Sequence, residues 1–154
     1  MNSLQIKKTQ LDQLMPLIKE ELEAGHSVRF SPSGISMLPM LRDGIDSVIL
    51  SPLPEKLRKY DLPLYRRASG QYVLHRVIKV GRTYTCIGDN QFYKETDLQH
   101  GQMIALVTSF YRNNKEIQTS NLGYQIYCRF WHYSRPIRHL YKSGIRWLWR
   151  HIKK

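Results

Sequence analysis

A serine hydroxyl becomes a nucleophile only when the chain also supplies a base, a group to orient that base, and donors for an oxyanion. The stretch SGISMLPML, Ser33 to Leu41, places Ser36 between Ile35 and Met37. The best base candidate is His75 in YVLHRVIKV, an imidazole that titrates near neutrality and interrupts an apolar segment in register with Val73 and Val77. His26, His100, His132, His139 and His151 lie in loops or the basic C-terminal segment and read as solvated. For the orienting carboxylate, CIGDNQFYKETD offers Asp89 in a Gly-Asp-Asn turn and Asp97 further on. Taken singly, each has an ordinary structural explanation: a core serine, a half-exposed strand histidine, and aspartates that favour turns.

The elements that must position these residues are short. Thr9 to Ala24 predicts a helix with Leu11, Leu14, Leu17, Ile18 and Leu22 on its apolar face, ended by Gly25, with Pro16 marking a later start or a kink. SVRF, DSVILSPL, DLPLYRR, QYVLHRVIKV, RTYTCIG and MIALVTSFYR read as strands punctuated by glycines. The expected fold is mainly β, a curled antiparallel structure with an N-terminal helix and a C-terminal amphipathic basic helix. The divisions are 1–26, 27–119 and 120–154.

At 154 residues the chain is long enough to bury a core without disulfide or metal. Cys86 and Cys128 lack CxxC spacing and read as reduced, mostly buried thiols, and no cofactor or metal is called for. The net charge of +12 is uneven: from Asn121 onward there are eight Lys and Arg residues and no Asp or Glu. No uncharged apolar core follows the first lysines and no run approaches a transmembrane length, so the expected location is cytoplasmic.

Together, SGISMLP, LHRVI and GDN…D stand in an order that resembles the type I signal peptidase and LexA-like serine peptidase superfamily. Gly34, Ser36, Met37 and Pro39 match the family's Ser-Met box, and DGIDSVIL and KYDLPLYRRASGQYVLHRVIKV match the elements that follow. Three differences stand out: Ile45 separates Gly44 from Asp46, Tyr60 stands where glycine is usual, and Met40 where signal peptidases keep threonine. The base position holds His75 where most bacterial members have lysine, so the chain is similar to the Ser-His branch of endoplasmic-reticulum, archaeal and sporulation-type signal peptidases. The resemblance implies Ser36 as nucleophile, His75 as general base, and Asp97 or Asp89 as the third residue, with Asp97 slightly favoured. It also implies that Gly34, Ser36, Met37 and Pro39 form the oxyanion and substrate-binding stretch.

The expected function is therefore a serine endopeptidase of signal-peptidase-like type that cleaves a precursor or leader peptide. The alternative is a non-catalytic membrane- or peptide-binding module that keeps the peptidase fold. The tail admits three readings: a packed core helix, an arm for nucleic acid, and, preferred, an in-plane helix on an anionic membrane surface. In the last, Tyr133, Trp147 and Trp149 anchor the helix, and Arg138, Lys142, Arg146 and Arg150 face the lipid charge, holding the chain peripherally on the inner membrane face. The β body lacks a helix-turn-helix signal, so nucleic acid is disfavoured.

Overall fold

The computed structural model describes residues 8–141. Among them run α1 (Lys8–Glu23), nine strands from β1 (Val28–Phe30) to β9 (Lys115–Gln118), and α2 (Leu122–Tyr133), followed by further helix over 135–141. The described chain is mainly antiparallel β sheet with helices at either end.

α1 buries Met15, Ile18 and Leu22, with Leu11 and Leu14 half-buried against the same core. Leu17, predicted on that face, is exposed, because a 100° step per residue sets it well away from Ile18 and Leu22 while bringing Met15 within about 20° of Leu22. The helix continues through Pro16 rather than starting after it. It ends as predicted at Gly25, whose φ of 85° is the left-handed conformation glycine adopts at no steric cost. There the His26 N–H donates to Glu21 O and the Gly25 N–H to Leu22 O, which satisfies two terminal carbonyls.

β8 (Met103–Arg112) is the long strand of the larger sheet, and its buried residues alternate along most of its length. One edge pairs with β2 (Ser47–Ser51), which pairs in turn with β1. The other edge pairs first with β3 (Pro63–Arg66) and then with β9. β4 (Tyr72–Leu74) adds to β3 and closes that side of the sheet. The second sheet has the order β5 (Arg76–Val80), β6 (Tyr84–Ile87), β7 (Glu95–Leu98). The segment predicted as one strand over Gln71–Val80 is therefore two, and the chain changes sheet at His75.

Two apolar clusters underlie this arrangement. One joins α1, the larger sheet and the Ser36 turn through Met37, Met40 and Leu41, and it takes in Tyr124 and Cys128 of α2. The other lies beneath the smaller sheet around Tyr65, Val77, Cys86 and Leu98. The start of the segment set apart at residue 120 thus belongs to the same core as the β body. Cys86 and Cys128 are buried free thiols. Among the described residues no helix is long and apolar enough to cross a membrane.

Candidate active site

His75 occupies the one-residue break between β4 and β5 and is 1 % exposed. Residues before it bond to β3 and residues after it to β6, so two sheets fix the backbone on either side of the imidazole. Its Nδ1 lies 2.9 Å from Glu95 Oε1 on β7. A carboxylate only accepts, so Nδ1 carries the proton and Nε2 keeps its lone pair. The Tyr65 hydroxyl stands 3.3 Å from the same nitrogen. Arg67 holds the carboxylate from the far side, with Nε 2.7 Å from Oε2 and Nη2 on Oε1.

Burial pushes the His75 imidazole below the ordinary histidine value, and the opposing pull of the Glu95 charge and hydrogen bond does not cancel it. Burial alone would raise Glu95. The hydrogen bond from Arg67 and the charges of His75 and Arg67 outweigh it, so the carboxyl is held below the usual glutamate value. Near neutral pH the pair is a neutral base beside an ionised carboxylate, which is the charge state a general base requires. The Cys86 thiol, opposite Glu95 in the ladder, is pushed up to about 12 by burial and by that charge, and is inert as a nucleophile.

The carboxylate partner is a correction to the sequence reading, which names Asp97 or Asp89. Asp97 is exposed on β7 with φ 59°, two residues past the one that reaches the imidazole. Asp89 is fully buried and spent on another cation: its carboxylate accepts from Arg76 Nε at 2.8 Å and Nη2 at 2.7 Å. Arg76, the residue after His75, also donates to Tyr60 O, Tyr124 Oη, Cys128 Sγ and Met40 Sδ. This bidentate pair ties β5, the Gly88–Asn90 turn, α2 and the Ser36 segment at one buried point.

Ser36 lies in a turn, not a strand, and is half-buried. The Gly-Asp-Asn turn holds it from outside: the Asn90 N–H donates to Ser36 O at 2.8 Å, and Asn90 Nδ2 to Ile35 O at 3.1 Å. Gly88 is required by close approach, since a Cβ there would stand 2.7 Å from Ser36 O. We expect Gly88→Ala to displace the Ser36 turn and lower any Ser36-dependent reactivity at least tenfold, with the change read by labelling rate at fixed thermal stability.

Around that serine, the Gly34 N–H is committed to Asp43 Oδ1 at 2.9 Å and cannot serve an oxyanion. Among the described residues the N–H groups of Ser36 and Met37 have no partner and are the available donors. Gly34 has φ 102°, Met37 is buried in the core, and Pro39 is exposed. No hydrogen bond joins Ser36 Oγ to His75, yet both line one cleft of about 970 Å³. Its walls include Leu11 of α1, Phe30, Leu64 and the β4 residues Tyr72 and Leu74, and β4 is an edge strand along it. Among the described residues no group of three or more His, Cys, Asp and Glu could hold a metal ion.

Of the residues predicted to meet a membrane, Tyr133 is exposed. Arg138 instead lies over the Trp131 ring, 3.8 Å from its centroid, and donates to Asp89 O at 3.2 Å. Lys142, Arg146, Trp147, Trp149 and Arg150 lie outside the described residues. No protein-family model matches the chain, and neither a curated protein nor a solved structure is matched by it.

Proposed function

We propose that the chain is a serine endopeptidase of the signal-peptidase-like type, of the Ser-His branch, that cleaves a precursor or leader peptide. One observation carries the reading. A buried imidazole, with Nδ1 on a carboxylate, opens on the cleft that Ser36 lines. In this reading Ser36 Oγ attacks the scissile carbonyl carbon and its proton passes to His75 Nε2. Glu95 stabilises the imidazolium that results. The oxyanion accepts from the Ser36 and Met37 N–H groups, a kind of contact whose loss typically costs ~3 kcal/mol in barrier height. Collapse breaks the C–N bond, the amine leaves with the proton from Nε2, and water resolves the ester with His75 again as base.

Two departures from the family's pattern are accommodated locally. Tyr60 stands where the pattern keeps glycine, and its φ is 78°, in the region glycine favours. Its N–H donates to Val77 O and its carbonyl accepts from Arg76, so the conformation is fixed on both sides. Met40 stands where the pattern keeps threonine, and its sulfur receives Arg76. An extended substrate fits as an added strand along the free edge of β4.

Digestion of a mixed peptide library, read by mass spectrometry, tests the proposal. The wild type should cut at a restricted set of bonds and Ser36→Ala at none of them. Identical product patterns would overturn it. Because the His75 value is lowered from about 6.5, kcat/KM should stay on its plateau through neutral pH and decline only below pH ~6.5. Stability follows the same sign. The unfolded chain takes up the His75 proton first, so stability from the neutral imidazole is complete above pH ~6.5 and is lost as pH falls below it.

The second reading, a peptide-binding module without turnover, is favoured by the missing Ser36–His75 hydrogen bond. It predicts library peptides retained but uncut.

A further inference from the structure

α2 carries apolar residues on two opposite faces. Tyr124 and Cys128 point into the core, and Trp131, on the same side, donates from Nε1 to Asp89 O at 2.8 Å. On the far side Leu122, Ile126, Phe130 and Tyr133 fall within about 80° of helix rotation. The helical stretch after Ser134 adds Ile137 and Leu140. All six are between 58 % and 74 % exposed. A row of large apolar side chains this long, left exposed among the described residues, marks an interaction surface rather than scattered surface residues.

The charge around the row selects the occupant. Arg129 lies at its edge, Lys59 stands 5.9 Å over the Tyr133 ring, and from Asn121 to the end of the chain there are eight Lys and Arg residues and no acidic one. The apolar row forms a convex ridge of helix rather than a groove, which suits a deformable surface. We infer that the outward face of the C-terminal helices docks on an anionic lipid surface, with Leu122, Ile126, Phe130, Tyr133, Ile137 and Leu140 entering the interface and the cations meeting the headgroups. The inner face of the same helix holds the Gly88–Asn90 turn, which in turn holds Ser36. Docking therefore sets the Ser36 turn about one helix diameter, ~10 Å, from the lipid.

Flotation of the full chain with extruded vesicles tests this. The wild type should float with vesicles of one part phosphatidylglycerol to three parts phosphatidylcholine, and be released by raised salt. It should float poorly with phosphatidylcholine alone. Ile126→Ser/Phe130→Ser/Ile137→Ser should retain the wild-type Tm, because these side chains are exposed, and lose about 1,000-fold in partitioning, at roughly tenfold per apolar side chain. Ser36→Ala should float like the wild type, so failure of the peptidase reading leaves this result intact. No flotation, equal flotation with both vesicle types, or flotation unchanged in the triple-serine variant would each overturn the inference. So would concentration-dependent dimerisation, abolished by that variant, without vesicle binding.

Discussion

Replacing Glu95 with glutamine is expected to lower kcat by roughly 10³–10⁴-fold, the scale on which Ser-His-acid sites depend on the orienting carboxylate. The amide can still reach His75 Nδ1, but it can present an N–H there and favour the wrong tautomer. It also leaves the imidazolium without a counter-charge. The pH profile separates this from a structural effect. The Glu95 charge raises His75 against the lowering caused by burial. Its removal should move the acidic limb to lower pH while the plateau drops. Asp97→Asn, at the exposed position two residues on, should leave kcat within about twofold of wild type. Equal loss in the two variants would show that β7 matters only as a strand.

The buried Arg76–Asp89 pair should dominate stability. Asp89→Asn leaves a guanidinium at 1 % exposure without its charge partner, and breaking such a pair typically costs about 3–5 kcal/mol. Arg76→Met abandons Asp89 in the same way and also frees Tyr60 O, Tyr124 Oη and Cys128 Sγ from their donor. The double variant should be less destabilised than the sum of the two singles, because no lone charge then remains buried. Urea unfolding midpoints measure all three. A loss under ~1 kcal/mol for Asp89→Asn would show that the pair contributes little net stability.

Local signals made part of this legible from the amino-acid order. The glycine stop of α1 and the alternation of β8 depend on neighbours in sequence, and both are found close to the predicted bounds. The Asn121 cap, whose Oδ1 accepts from the Gly123 N–H, opens a helix inside the predicted helical tail at a position the sequence reading does not single out. β7 and β9 were not predicted, because ETDL and KEIQ each hold one apolar residue and are strands only through pairing with β6 and β8. Glu95 lacks a local signature for the same reason. Its approach to His75 follows from the pairing of Cys86 with Glu95 and from the sheet change at residue 75, neither of which has a local signature. A Gly-Asp-Asn turn is conspicuous in sequence, which makes Asp89 a candidate beside the favoured Asp97, while its carboxylate is already needed by the arginine next to the histidine.

The most direct test of the central claim is labelling of the purified chain by a fluorophosphonate, with the modified residue mapped by mass spectrometry. The account predicts a phosphonyl adduct on Ser36, absent after His75→Ala, strongly slowed by Glu95→Gln, and unchanged by Asp97→Asn. A wild-type chain that takes no label at Ser36, or labels there equally fast without His75, would contradict it.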